Sequence, residues 1–135
     1  MKKYKLIIVE NDEDEQLFMR QGFVASGLFD IVVMVREGNE LFEWLNQHSS
    51  ALPDLILSDL NMPGKNGFEI IADIHKHPAY KIIPVIITST SSIQSVIDQC
   101  LSMGAAGYVT KPDSFVEYAP FARRLHELVA EKNLA

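Results

Sequence analysis

The chain has 135 residues, 47% of them hydrophobic, which is enough for one sizeable core but not for two. Its formal net charge of -6 and the absence of a run of Lys or Arg argue against direct binding to nucleic acid. No stretch approaches the roughly 18 apolar residues that span a bilayer, so the sequence excludes insertion into a membrane.

These features predict a single domain over residues 1–135, with a core from about 4 to 131 and no attached output domain. The apolar run at 6–9 is too short for a secretory signal. The one cysteine, Cys100, lies among apolar residues and is expected to be a buried, inert thiol. Both features indicate a cytoplasmic protein.

Short runs rich in β-branched residues predict five strands, at 5–9, 31–35, 54–58, 82–87 and 106–109. Several of these runs are almost continuously apolar rather than alternating. Such a pattern is typical of strands that are covered on both faces, as in a parallel sheet flanked by helices.

Segments with helical spacing separate the runs, at 14–25, 41–45, 68–75, 92–103 and 121–129. Strand and helix therefore alternate five times. Right-handed crossovers fold that order into an α/β protein with a doubly wound parallel sheet.

Turn and cap residues agree with these helices. Ser91 or Ser92 is expected to cap the fourth helix, and Gly104 to end it. Pro120 either opens the last helix in its first turn or kinks it, because a proline inside a helix lacks the amide donor.

Polar residues follow four of the five runs. In an open parallel sheet, ligands bind beyond the carboxyl ends of the strands, so these residues are the candidates for a site. They are Glu10, Asn11 and Asp12 after the first run, Asp59 after the third, Ser89 and Thr90 after the fourth, and Lys111 and Pro112 after the fifth.

Asp59 stands in an apolar setting, where an unpaired charge is costly, so a cation is expected close by. It is either a turn residue that leads into the following loop or a nucleophile. A carboxylate can attack a phosphoryl group and form an acyl phosphate when a divalent cation screens the repulsion between the anions.

Glu10, Asn11 and Asp12 offer the oxygen ligands that Mg²⁺ prefers. The alternative is a solvated acidic loop in which Asp12 or Asp14 caps the first helix.

Lys111 is either a surface lysine or the cation that pairs with Asp59 and then with phosphate oxygens. Its peptide bond to Pro112 is expected to fix a turn that aims the lysine inward, with the cis or trans isomer left open. Ser89 either donates its hydroxyl to a phosphate or belongs to a helix-capping tract over 88–92.

Three segments, taken in order, resemble the response-regulator receiver family, and the resemblance covers nearly the whole chain. Asp54-Leu-Ile-Leu-Ser-Asp59-Leu-Asn-Met-Pro63-Gly-Lys-Asn-Gly67 is similar to the phospho-acceptor strand and the loop after it. Pro84-Val-Ile-Ile-Thr-Ser89 resembles the strand that ends in the switch hydroxyl, and Gly104-Ala-Ala-Gly-Tyr108-Val-Thr-Lys111-Pro112 resembles the lysine strand.

The resemblance implies a flavodoxin-like (βα)5 fold with strand order 2-1-3-4-5. It also implies that Asp59 is the phosphorylation site, Lys111 the family's lysine, Ser89 the switch hydroxyl and Tyr108 the rotating aromatic residue. By the same resemblance Mg²⁺ is held by Glu10, through water, and by three further ligands. These are Asn11, Asp59 and the main-chain carbonyl of Asn61.

Two positions depart from the family pattern. Asn11 stands where the family usually has an aspartate, and the loss of one negative charge should weaken Mg²⁺ binding. Asp12 is the residue that would compensate in part, although it is one position out of register. Thr90, where the family often has a small residue, adds bulk beside the site.

The predicted function is that of a stand-alone receiver in a two-component phosphorelay, which takes its phosphoryl group from a phosphohistidine on a sensor kinase or a phosphotransfer protein. It is not expected to be an enzyme, apart from promoting its own phosphorylation and dephosphorylation. Its output is expected to be altered binding to a downstream protein, with homodimer formation left open.

Two rivals remain. A pseudo-receiver would keep the fold and the binding surface, but would not be phosphorylated because of Asn11. A phosphatase or a flavin protein is less consistent with the sequence, because Asn61 replaces a second aspartate and no phosphate loop follows the first strand.

Overall fold

Five parallel strands form the centre of the protein. The computed structural model describes residues 2–132 and residue 134, so the ends of the predicted domain at Met1, Asn133 and Ala135 lie outside the described part. The strands are β1 (Tyr4–Val9), β2 (Phe29–Val35), β3 (Leu55–Asp59), β4 (Val85–Ser89) and β5 (Gly107–Thr110). Their order in the sheet is β2-β1-β3-β4-β5, and all four neighbouring pairs are parallel, as the sequence predicts.

A helix follows each strand. The five helices are α1 (Glu13–Ser26), α2 (Gly38–Gln47), α3 (Gly67–Lys76), α4 (Gln94–Ser102) and α5 (Tyr118–Glu131), with a short 3-10 helix (Phe115–Glu117) just before α5. The longest of them has 14 residues, short of the roughly 20 that cross a bilayer. No helix in the described part of the chain is a candidate membrane span.

Two apolar cores cover the two faces of the sheet. On one face Ile7, Ile56 and Ile87 pack with side chains of α2 and α3 and with Cys100 of α4. On the other face alternate strand residues, such as Ile8, pack with α1 and α5. The almost unbroken apolar runs are therefore explained by burial on both sides, and the expectation of a buried Cys100 thiol is confirmed.

The fourth strand begins later than the sequence predicts. Ile82 is 76% exposed, and the amide of Ile83 donates to the carbonyl of Tyr80 in a turn. Pro84 has no amide hydrogen to contribute to a ladder, so β4 starts at Val85. The apolar character of 82–83 therefore belongs to the approach to the strand.

The end signals of the helices are partly confirmed. Gly104, with φ 113°, follows Met103 at the C-cap of α4, and Pro120 is the third residue of α5, where its missing amide costs no helical hydrogen bond. The predicted cap by Ser91 or Ser92 is wrong. Ile93 occupies the N-cap of α4, which has no side-chain cap, and its amide donates to the hydroxyl of Ser91 at 3.3 Å.

The loop after β3 brings α3 back close to the strand. The amide of Gly67 donates to the carbonyl of Leu60 at 3.0 Å, and a Cβ on Gly67 would lie 2.7 Å from the carbonyl oxygen of Asp59. Asn66 and Glu69 form a reciprocal capping box at the start of α3. Glycine at position 67 therefore allows the close approach that fixes the loop around Asp59.

We predict that Gly22→Ala destabilises the protein, because α1 and α5 touch at this glycine. A Cβ there would lie 2.7 Å from the carbonyl carbon of Tyr118 and 2.9 Å from the amide nitrogen of Ala119. Overpacking costs about 1–3 kcal/mol and outweighs the gain of up to about 1 kcal/mol from alanine in a helix. Urea unfolding measures the difference, with the exposed Gln21→Ala as control, and a Gly22→Ala protein as stable as the control would contradict the packing.

Candidate functional site

Three charged side chains meet at the carboxyl ends of β1, β3 and β5. The Nζ atom of Lys111 lies 2.8 Å from Oε1 of Glu10 and 3.4 Å from Oδ2 of Asp59. β3 and β4 lie between β1 and β5 in the sheet, and the long side chain of Lys111 spans that distance to reach Glu10. The sequence-based expectation that these ends share one pocket is confirmed.

Main-chain amides hold the two carboxylates in place. Oε2 of Glu10 accepts the amide of Asp12 at 3.1 Å, and Oδ1 of Asp59 accepts the amide of Leu60 at 2.8 Å. Each carboxylate therefore has one oxygen on the backbone and the other directed at Lys111. A carboxylate with two directed partners is oriented before any ligand arrives.

Burial and charge act against each other in this pocket. Glu10 is 2% exposed, and the side chains of Lys111 and Asp59 are 8% and 13% exposed. Burial raises the pKa of Glu10 and of Asp59, and their contacts with Lys111 offset this only in part. Burial alone would lower the pKa of Lys111, but its hydrogen bond to Glu10 and the charge of Asp59 raise it, so the lysine stays protonated.

The oxygen donors of the pocket fit a hard divalent cation. Glu10 and Asp59 supply two carboxylates, and two carboxylates with neutral oxygens and water are a usual ligand set for Mg²⁺. Asn11 is half-buried next to Glu10, and Asn61 is exposed two residues after Asp59. In the described part of the chain no cluster of three or more His, Cys, Asp and Glu side chains is placed for a metal, in keeping with the neutral Asn11.

Asp12 caps a helix and does not replace the negative charge that Asn11 lacks. Its carboxylate caps α1 and accepts the amides of Asp14 at 2.8 Å and Glu15 at 3.0 Å. The alternative interpretation of Asp12 as a helix cap is thus confirmed, and its Oδ1 is already committed to the cap.

Ser89 and Tyr108 are linked through the main chain of Ser91. The hydroxyl of Ser89, which is 3% exposed, accepts the amide of Ser91 at 3.2 Å, and the carbonyl of Ser91 accepts the hydroxyl of Tyr108 at 2.7 Å. The carbonyl of Ser89 also accepts the amide of Lys111 at 2.8 Å. Ser89, the last residue of β4, therefore contacts both the backbone that precedes α4 and the backbone of Lys111.

Two residues at the rim are also placed by the structure. Thr90 is exposed directly after Ser89. The peptide bond between Lys111 and Pro112 is trans, which settles the isomer that the sequence leaves open.

A second polar layer, which the sequence does not reveal, lies beside the pocket. Tyr118 is 2% exposed, and its hydroxyl donates to Oε2 of Glu15. Thr88 pairs with Asp59 across β3 and β4, and its buried hydroxyl has no hydrogen-bond partner among the described residues. The acidic run over 12–15 was visible in the sequence, but nothing local indicates that one of its members meets the start of α5.

A doubly wound parallel sheet with strand order 2-1-3-4-5 defines the flavodoxin-like class of α/β proteins. The model of the response regulator receiver domain matches residues 6–118. The chain therefore belongs to the response regulator receiver domain family of two-component signalling.

Known relatives agree with this assignment. The chain is 34% identical over 106 residues to the two-component response regulator ARR15 of Arabidopsis thaliana, covering 73% of this chain but only half of the plant protein. It is 28% identical over 110 residues to the response regulator Rcp1 of Synechocystis, covering 78% of this chain and 75% of that protein.

Solved structures share the fold. The phosphorylated cyanobacterial phytochrome response regulator RcpA superposes with a TM-score of 0.80 at 31% identity, covering 93% of this chain and 92% of that one. The Mn²⁺-bound form of Rcp1 superposes with a TM-score of 0.76 at 23% identity, covering 92% of both chains, a likeness of fold alone.

We predict that Lys111→Met destabilises the protein by about 3 kcal/mol near neutral pH, because it leaves two buried carboxylates without their cation. The pKa values of Glu10 and Asp59, already raised by burial, should rise further. A folded pKa above the unfolded one means that the folded state binds more protons, so stability increases as pH falls through that interval.

The loss should therefore shrink as the pH is lowered from about 7 towards about 4, near the ordinary carboxyl pKa. Urea unfolding across this range measures it, with Lys81→Met, at an exposed lysine, as control. Equal pH dependence in both variants would show that Lys111 does not balance the buried acids.

Proposed function

We propose that the protein accepts a phosphoryl group on Asp59 from a phosphohistidine donor, with Mg²⁺ bound in the same pocket. The observation that carries this proposal is the convergence of Glu10, Asp59 and Lys111 at the carboxyl edge of the sheet. Two relatives support it, since one solved structure is of a phosphorylated regulator and another is of a Mn²⁺-bound one.

Each pocket residue has a distinct part in this reaction. A carboxylate oxygen of Asp59 forms a bond to phosphorus as the bond from phosphorus to the donor histidine nitrogen breaks, and that nitrogen keeps the bonding electron pair. Glu10, Asn11, Asp59 and the carbonyl of Asn61 would hold Mg²⁺, which neutralises phosphoryl oxygens during transfer. Lys111 keeps Asp59 and Glu10 in place and then pairs with the phosphate.

Phosphorylation of Asp59 would change the surface of the protein through the contacts of Ser89. Its hydroxyl oxygen now accepts the amide of Ser91, and a phosphate on Asp59 would accept the hydroxyl proton, which draws Ser89 towards the phosphate and away from Ser91. Ser91 also holds the hydroxyl of Tyr108 and the amide of Ile93 at the start of α4. Recruitment of Ser89 would thus bias the position of Tyr108 and of the α4 N-terminus, which alters the surface offered to a partner.

The partners follow from this chemistry. The donor is a sensor histidine kinase or a histidine phosphotransfer protein, and the target is a downstream protein that distinguishes the two surfaces. We propose that the protein acts in the cytoplasm as a phospho-acceptor and not as an enzyme on other substrates. A homodimer through the switched surface remains compatible with the same mechanism.

Asn11 favours a second candidate, a pseudo-receiver that binds its partner without phosphorylation. The neutral amide leaves the pocket with two carboxylates and one lysine, a net charge of -1. The pocket therefore attracts Mg²⁺ more weakly. Without the cation, the carboxylate of Asp59 repels the anionic phosphoryl group.

We predict that acetyl phosphate adds one phosphate to the protein only when Mg²⁺ is present, as read by intact mass. Asp59→Asn should abolish the addition, because it removes the nucleophilic oxygen. Asp54→Asn is the matched control, since Asp54 precedes the other end of β3 and bonds the amide of Lys5 at 2.8 Å. Loss of labelling in both variants, or no labelling of the unaltered protein, would contradict the phospho-acceptor role and favour the pseudo-receiver.

A further inference from the structure

The pocket carries less negative charge than it would if an aspartate stood in place of Asn11. Glu10 and Asp59 contribute two negative charges, Lys111 removes one, and Asn11 contributes none. Asp12 is committed to the cap of α1. A divalent cation would therefore enter a weak field unless a carboxylate outside this set faces the pocket.

Glu15 is the member of the acidic run that is turned towards the interior. It is half-buried in the first turn of α1, its amide is held by Asp12 at 3.0 Å, and its carboxylate accepts the hydroxyl of Tyr118. In contrast, the side chain of Glu13 on the same turn is 79% exposed and lies 3.5 Å from Arg36.

Tyr118 fixes Glu15 at the junction of α1 and α5. The tyrosine is 2% exposed and packs edge-on against Phe121, with ring centroids 5.5 Å apart. Its main chain lies against Gly22 of α1, which leaves no room for a side chain between the two helices. The carboxylate of Glu15 is thus bound to a buried donor.

Asp12 joins Glu15 to the pocket, because its amide donates to Oε2 of Glu10 at 3.1 Å and its carboxylate accepts the amide of Glu15 at 3.0 Å. The charge of Glu15 is among the influences that raise the pKa of Lys111. Burial raises the pKa of Tyr118, and the charges of Glu15, Glu10 and Asp59 raise it further, so all three carboxylates act on one hydroxyl. Because Glu15 is only half-buried, its action on the pocket is partly screened by solvent and should weaken in added salt.

We propose that Glu15, held by Tyr118, supplies the negative charge that Asn11 lacks and so sets the affinity of the pocket for its divalent cation. This proposal rests on the proposed function, because it assumes that the cation binds at Glu10 and Asp59. Glu15 is a positioning residue that acts through its charge, at a distance from the reacting atoms.

The test is Mg²⁺ binding to the phosphate-free protein, measured by titration calorimetry at low and at high ionic strength. Glu15→Gln keeps an acceptor for Tyr118 but removes the charge, and should weaken binding roughly threefold to tenfold at low salt. Glu13→Gln, which removes an exposed charge from the same turn, should change the affinity less than twofold. Added salt should reduce the effect of Glu15→Gln, as expected for a charge and not for a packing defect.

Two further variants separate charge from structure. Tyr118→Phe removes only the hydroxyl that holds Glu15, and should weaken binding in the same direction. Asn11→Asp, introduced into the Glu15→Gln protein, should restore the affinity, because the charge returns at a ligand position. Circular dichroism of each variant confirms that the fold is kept.

The outcomes distinguish this proposal from the proposed function. If the unaltered protein binds Mg²⁺ and Glu15→Gln behaves like Glu13→Gln, Glu15 has no such role, while the phospho-acceptor pocket stands. Wild-type affinity in Tyr118→Phe would contradict the holding role of the tyrosine. If the unaltered protein binds no Mg²⁺, both the cation site and the role of Glu15 are wrong.

Discussion

A single lysine balances two buried carboxylates, and the site depends on that balance. Lys111 contacts Glu10 at 2.8 Å and Asp59 at 3.4 Å from the far edge of the sheet. Without it, two acids would be desolvated side by side, a state that a protein avoids by protonating them. In the proposed phosphoryl transfer Asp59 must be charged to act as a nucleophile, and Lys111 would keep it in that form and in position.

The fold makes this balance possible. In a parallel sheet every carboxyl end faces the same edge, so Glu10, Asp59, Ser89 and Lys111 are brought to one edge by topology alone. The two apolar cores hold the strands rigid, and the close approach at Gly67 fixes the loop after Asp59. Rigid strands with a tethered loop are what a site needs when its charges must stay within hydrogen-bond distance.

Much of this arrangement could be predicted from the sequence, because its causes are local and repeated. Continuous apolar runs reveal strands buried on both faces, and polar residues after them reveal the edge of the sheet. The sequence places the start of β4 too early, because Ile82 is apolar yet 76% exposed, and exposure is a tertiary property. The predicted serine cap of α4 is also wrong. The carbonyl of Ser91 accepts the hydroxyl of Tyr108, and its own hydroxyl accepts the amide of Ile93.

The contact between Glu15 and Tyr118 was beyond sequence reasoning, since 103 residues separate the partners and both look ordinary in their own segments. Periodicity places a residue on a helix face, but the pairing of faces from α1 and α5 depends on packing at Gly22. Asn11 was visible as a departure from the family pattern. The placement of Glu15 against Tyr118 was not visible.

The most direct measurement is a ¹³C NMR titration of the side-chain carboxyl carbons, with and without Mg²⁺, using Asp59→Asn to assign the resonance of Asp59. The account predicts that Asp59 titrates above the ordinary aspartate pKa in the cation-free protein, and that Mg²⁺ lowers this pKa by stabilising the carboxylate. An Asp59 carboxyl group that titrates at its ordinary pKa and does not respond to Mg²⁺ would contradict it.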